Sequence, residues 1–321
     1  MKYCKVAGLI LTAVLLGSCS AKSINQNSNK IEHQEKKMEK IEREFISNGY
    51  AIDCPEEYKA VREGVTYGTV IHKTYYSKTC KMERPCSILL PPSYSESKKY
   101  PVVYFQHGIF GDENCMINDG SNYFKEITGN LAAEGKAPEM IFVFGHMYAT
   151  DDPEQKPGFD SKAVLPYDNF INELTNDLMP YIESNFSVLT GRENTAICGF
   201  SMGGRETLYI GLQRSDLFAY VGAIAPAPGL VPAKDWAMEH KGMISEDEVK
   251  FKAENPLPEL LMVCCGTNDG TVGQFPRSYH SILTKNNVNH TWFEVMNADH
   301  NSHAIRTGLF YFVSNIFKTI Q

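Results

Sequence analysis

The chain has 321 residues, 43% of them hydrophobic and 21% charged, with a formal net charge of -7. That length and balance suit a soluble globular domain able to bury a large core. They exclude a nucleic-acid surface, which needs a basic patch, because no basic run goes beyond Lys36-Lys37 and Lys98-Lys99.

Lys2 and Lys5 flank a positive start, and the apolar run Val6 to Leu16 that follows is short for a membrane span. The run ends in Leu16-Gly17-Ser18-Cys19, which resembles the lipobox of bacterial lipoproteins. The resemblance implies a signal peptide over 1–18 and lipidation of Cys19. It also implies a lipid anchor in the cell envelope, at the bacterial outer membrane or the periplasmic face. The same residues also read as a secretory signal cleaved near Ala21, or as a short signal anchor. Residues 19–46 are polar and charged, with Ile31, Met38, Ile41 and Phe45 too sparse for a coiled coil, and read as a tether. Residues 47–321 are expected to form one catalytic domain. Of nine cysteines, setting aside Cys4 and Cys19 leaves seven, an odd number that argues against a disulfide framework. Cys80 and Cys86 flank an expected turn and could pair in an oxidising compartment.

Short apolar runs then alternate with amphipathic stretches, the pattern of an α/β domain with a mostly parallel sheet and helices on both faces. Strands are expected at 68–76, 86–90, 102–106, 140–144, 195–199, 220–225, 260–265 and 291–295. The first two read as an antiparallel hairpin turning at Lys81–Arg84. Within 167–185, Phe170, Ile171, Leu174, Leu178, Tyr181 and Ile182 fall on one helical face, and Pro180 should kink or divide that helix. A last helix is expected over 304–320.

The chemistry centres on Gly199-Phe200-Ser201-Met202-Gly203-Gly204, directly after the apolar run Thr195-Ala196-Ile197-Cys198. A G-x-S-x-G pattern between strand and helix predicts a sharp turn that presents Ser201 as a nucleophile, as in the α/β-hydrolase fold. Asp269 stands in Gly266-Thr267-Asn268-Asp269-Gly270 and His300 in Asn297-Ala298-Asp299-His300, each in a loop after a strand and in the order Ser, Asp, His. His300 would take the proton of Ser201, and Asp269 would orient the imidazole. His303 competes with His300 for that role, and Asp299-His300 with His303 also reads as a metal pair that lacks further ligands. The oxyanion hole is expected from the backbone N–H groups of Met202 and Ile109, the latter in His107-Gly108-Ile109-Phe110-Gly111, with His107 structural. In the segment after 220–225, Trp236 is expected either to wall the substrate pocket or to staple the loop to the surface. The reading calls for no metal and no cofactor.

Tyr75-Tyr76-Ser77-Lys78-Thr79, Leu90-Pro91-Pro92-Ser93-Tyr94, Lys98-Lys99-Tyr100-Pro101-Val102-Val103-Tyr104 and His107-Gly108-Ile109 resemble the opening of the esterase D-like hydrolases. The resemblance continues through Asp177-Leu178-Met179-Pro180-Tyr181-Ile182, the Ser201 turn, Cys265-Gly266-Thr267-Asn268-Asp269 and His300. Within that group the chain is most similar to bacterial feruloyl and acetyl xylan esterases. The resemblance implies the same triad and oxyanion positions, and an acylated oligosaccharide as the ester substrate. One departure is local: Ala298-Asp299 precede the histidine where the family commonly has two glycines, and Asn301-Ser302-His303 follow it where an aromatic is common. Other readings are a different ester, such as a siderophore lactone or a simple aryl or acyl ester, and a non-catalytic surface binding protein.

Overall fold

Runs of β-branched and aromatic residues form twelve strands within residues 46–318, the part of the chain that the computed structural model describes. The proposed signal peptide, Cys19 and the tether up to residue 45 lie outside the described residues. The strands are β1 (Ile46–Ser47), β2 (Tyr50–Ala51), β3 (Thr69–Ser77), β4 (Met82–Leu90), β5 (Val102–Gln106), β6 (Ile141–Gly145), β7 (Thr195–Phe200), β8 (Tyr220–Ile224), β9 (Ala233–Lys234), β10 (Glu239–His240), β11 (Leu260–Gly266) and β12 (Thr291–Val295). Ten of them make one sheet in the order β1-β2-β12-β11-β8-β7-β5-β6-β4-β3. From β6 through β2 the pairs are parallel; β3 with β4, β4 with β6 and β1 with β2 are antiparallel.

Parallel strands need both faces covered, and their sequences show it: β5, β6, β7 and β8 are buried along their whole lengths. On β8, Val221 meets Gly211 of helix Met202–Gln213, while its neighbour Gly222 meets Phe312 of helix Ser302–Asn315 on the opposite face. Phe105, Phe142 and Phe144 pack with Phe124 of helix Phe124–Ala133. After β5 the chain steps outward to β6, then returns past β5 to β7 and continues the other way through β8 and β11. The crevice above β5 and β7 is therefore a topological switch point, where open α/β sheets place their sites. This is the α/β-hydrolase architecture.

Three local expectations are corrected: the position of the β3–β4 turn, the Cys80 and Cys86 pair, and the end of the last helix. The β3–β4 turn falls at residues 78–81, not at Lys81–Arg84, because buried acceptors set it: Asp177 accepts the N–H groups of Lys78 and Thr79, and Ser77 Oγ accepts that of Cys80. Lys81 closes the turn with φ 54°. Cys80 and Cys86 are free thiols, and Cys80 Sγ points at Glu173 Oε2, 3.2 Å away, while Cys86 pairs across the ladder with Lys73. The helix over 165–185 changes register before Pro180: Met179 N–H bonds to Leu174 C=O, and Leu174–Leu178 is a π-turn. The proline's missing donor falls where that wider turn has already left the α pattern, and the helix is divided there, as expected, into Phe170–Glu173, the π-turn and Met179–Asn185. The last helix stops at Asn315, five residues short of the expected end, with Ile316 extended and Phe317 at φ 55°.

Candidate active site

Ser201 stands between the end of β7 and the first turn of helix Met202–Gln213, with φ 58° and ψ -117°. A non-glycine residue there stores on the order of 1–3 kcal/mol, which the surroundings must hold. Ser201 N–H donates to Ile224 C=O at 3.0 Å, and Ser201 C=O accepts from Arg205 and Ala227 at 3.0 and 2.9 Å. Strand, turn and helix also approach too closely for side chains. A β-carbon at Gly199 would lie 2.3 Å from the Gly203 carbonyl oxygen, and one at Gly203 would lie 2.4 Å from that of Gln106. Both glycines are therefore required by contact. Met202 opens the helix, where a backbone N–H has no intrahelical acceptor and the helix dipole favours negative charge.

The structure brings Asp269 and His300 to this serine. His300 Nε2 is 2.9 Å from Ser201 Oγ, and His300 Nδ1 is 2.9 Å from Asp269 Oδ2. Asp269 follows β11 with its side chain fully buried. Its other oxygen accepts the N–H groups of Thr271 and Val272 at 3.0 and 2.9 Å, which aims Oδ2 at the imidazole. Burial alone would raise this carboxyl, but the hydrogen bond and charge of His300 and the two amides outweigh it and hold it below the usual range. A carboxylate at Nδ1 selects the tautomer with its proton on Nδ1, leaving the Nε2 lone pair for the serine proton. Phe200 lies against the imidazole, ring centres 4.5 Å apart.

His303 goes elsewhere. As part of the last helix it turns toward the Ile52 carbonyl at 3.3 Å and Asp53 at 3.6 Å. With both ring nitrogens of His300 engaged, the arrangement does not make the Asp299, His300 and His303 metal pair.

Ile109 sits in the loop after β5, next to Gly108, which lies against the Ser201 side chain. Its peptide plane is fixed from behind. Gly108 C=O accepts from His107 Nδ1 at 2.7 Å and from Gly111 N–H at 3.1 Å, so the N–H of the same planar unit, that of Ile109, points the opposite way. Phe110 follows with φ 64° and donates its N–H to Tyr167 Oη at 3.0 Å. His107 Nε2 accepts the Met147 N–H at 3.0 Å, so this buried ring works as a neutral Nδ1–H tautomer. Sequence reading gave His107 only a structural part. The turn pattern carries no sign that it grips the Ile109 peptide.

Trp236 lies in the turn between β9 and β10 and is 76% exposed. Its ring packs on Phe159 at 5.3 Å, and Phe159 packs edge-on to Phe110 at 5.0 Å. Three rings from three segments thus form an exposed ledge that starts beside Ile109. Phe110 and Phe159 were not singled out from the sequence. Phe159 stands in a polar loop with no periodicity to mark it.

The His107 network has a pH consequence. Burial holds His107 down to about 4, against 6.5 in an unfolded chain. Between those values the unfolded state binds the extra proton, so stability is complete above pH 6.5 and is lost as pH falls toward 4. Denaturant titrations at pH 7 and pH 4.5 should show this loss. Since His146 beside it is also lowered to about 4 by burial, His107→Gln should shrink the difference by about 2 kcal/mol rather than abolish it. An unchanged difference would show that His107 titrates normally.

The chain matches the model of the Esterase family over residues 77–305. Among curated proteins, an endo-1,4-beta-xylanase/feruloyl esterase of Xylanibacter ruminicola is 29% identical over 175 residues, which are 53% of this chain and 23% of that protein. An S-formylglutathione hydrolase of Arabidopsis thaliana is 30% identical over 164 residues, 47% of this chain and 55% of that protein. The chain thus spans about a quarter and about half the lengths of these two relatives. Among solved structures, the ferulic acid esterase of Anaeromyces mucronatus in complex with ferulic acid superposes with a TM-score of 0.79 at 48% identity. That match covers 84% of this chain and 98% of the other. On the extent of these matches, this chain belongs to the Esterase family.

Proposed function

We propose that this protein is a serine carboxylic-ester hydrolase that releases feruloyl groups from esterified plant-polysaccharide fragments, through an acyl-enzyme on Ser201. The observation that carries the chemistry is the unbroken hydrogen-bond chain from Asp269 through His300 to Ser201. The substrate class is supported by the 48% identity to an esterase solved with ferulic acid.

In the first half-reaction Ser201 Oγ attacks the ester carbonyl carbon while its proton passes to His300 Nε2. The carbonyl oxygen becomes an oxyanion between the N–H groups of Met202 and Ile109. Asp269 stabilises the imidazolium that forms. As the tetrahedral intermediate collapses, the bond to the sugar oxygen breaks and His300 returns the proton to that oxygen. A water molecule then repeats the sequence on the acyl-enzyme and releases the acid. Trp236, with Phe159 and Phe110, contacts the aromatic part of the ester.

Ser201→Ala should lower turnover of methyl ferulate by roughly a thousandfold or more without loss of folding. Adding His300→Gln should cost little further, because residues acting as one unit are strongly non-additive. A Ser201→Ala enzyme with full turnover would refute the assignment.

Trp236→Ala should raise KM for methyl ferulate by roughly three- to tenfold and affect nitrophenyl acetate far less. Equal losses on both esters would remove Trp236 from substrate contact.

The lipid anchor at Cys19 is part of the same proposal, resting on the Leu16-Gly17-Ser18-Cys19 resemblance. One acyl chain holds a protein only marginally, so stable anchoring needs the several chains that lipobox processing adds. Cys19→Ala should move the protein out of the membrane fraction at unchanged specific activity. Retention in that fraction would point to an uncleaved signal anchor.

A further inference from the structure

The hairpin that carries Trp236 is too short to hold itself in place. Its strands pair only at Glu239 with Lys234 and His240 with Ala233, and isolated hairpins are marginal in water. Yet His240 is buried, with Nε2 3.0 Å from Asp235 Oδ2. Asp235 Oδ1 accepts the N–H groups of Ala237 and Met238 at 2.8 and 2.7 Å, which closes the turn around Trp236. The remaining nitrogen of His240 faces Gly229, whose φ is +102°. A β-carbon at Gly229 would lie 3.0 Å from both His240 Nδ1 and Arg205 Nη1. The missing side chain lets a guanidinium and an imidazole close on one point of the backbone.

Arg205 is the fourth residue of the helix that follows Ser201, and its side chain is almost wholly buried. Its Nη2 binds Asp168 and Glu206, and its Nε binds Glu206 at 2.9 Å. Burial raises the Glu206 carboxyl above its usual range, against the lowering charge of the Arg205 guanidinium beside it. Asp168 is also raised by burial, against the lowering charge and hydrogen bond of Arg205, and its side chain is 29% exposed. Asp168 ends the short helix Leu165–Asp168, which directly follows the loop bearing Phe159. One buried cation thus sits on the nucleophile helix, binds the element behind Phe159 and closes on Gly229 at the same point as His240 of the Trp236 hairpin. A buried charge of this kind is a fixed point, because losing a partner strands the other.

We propose that Arg205 is a positioning residue for substrate selection: through Asp168, and across Gly229 to His240, it fixes the Trp236 hairpin to the helix that follows Ser201. The consequence for substrate rests on the role proposed above for Trp236; the positioning itself does not. Arg205 touches neither Ser201 Oγ nor the imidazole, so loosening it leaves proton transfer in place.

The chain has two tryptophans, so Trp292→Phe leaves Trp236 as the sole indole fluorophore of the full-length protein. In that background we would compare Arg205→Lys, which keeps the charge but loses the planar fork, with Asp168→Asn and Asp235→Asn. The two amide variants keep side-chain volume and remain informative should Arg205→Lys fail to fold. Expected are lower anisotropy and faster acrylamide quenching of Trp236. KM for methyl ferulate should rise about threefold or more, and kcat for nitrophenyl acetate should stay within about twofold. Unchanged anisotropy and quenching in the folded amide variants would overturn the proposal, while the reading of Trp236, tested by Trp236→Ala, would stand. Equal loss of kcat on both esters would also overturn it, as a structural defect. A looser Trp236 with unchanged KM would overturn the link to selection, and that failure would belong to Trp236.

Discussion

Ser201 occupies a left-handed backbone conformation that an L-residue adopts only at a cost, and the rest of the site is organised around holding it there. The constraint propagates outward. Gly199 and Gly203 must lack side chains so that β7, the turn and the helix can close on each other and on Gln106. Ile224, at the end of the neighbouring strand, must offer its carbonyl to the Ser201 N–H. Buried parallel strands on both sides of β7 make that geometry stiff, because a shift of one would break the ladder of the next.

Around this fixed turn the groups of the site are held by supporting hydrogen bonds. Asp269 spends one oxygen on two backbone amides and the other on His300, so the carboxylate cannot rotate away. Gly108 C=O is held by His107 and by Gly111, and this turns the Ile109 N–H outward. Arg205 repeats the pattern one turn behind the nucleophile, with acidic partners from its own helix and from Asp168. Orientation by a supporting hydrogen bond, rather than by the reacting groups alone, is the common device.

Much of this was legible in the sequence because it is local. The strands at 102–106 and 291–295 have the expected limits, Ser201 directly follows the end of β7, and Asp269 and His300 stand in the loops after β11 and β12. What stayed hidden depends on partners distant along the chain. The β3–β4 turn is placed by Asp177, about a hundred residues away, and no turn propensity at 78–84 encodes that. The π-turn before Pro180 answers a missing donor in a way that helical periodicity cannot distinguish from a kink. Phe159 stands in a polar loop and gains meaning only when Phe110 and Trp236 fold against it. His303 and His300 look alike in sequence; only the start of the last helix at Ser302 separates a loop histidine from a helical one.

The central claim is that an acyl group is carried covalently on Ser201 while Asp269 and His300 move the proton. Rapid acid quenching of the enzyme during turnover of methyl ferulate, followed by intact-mass analysis and peptide mapping, tests it most directly. The account predicts a transient mass gain of one feruloyl group, confined to the peptide that contains Ser201. Turnover with no covalent adduct at any quench time, or an adduct on another residue, would contradict it.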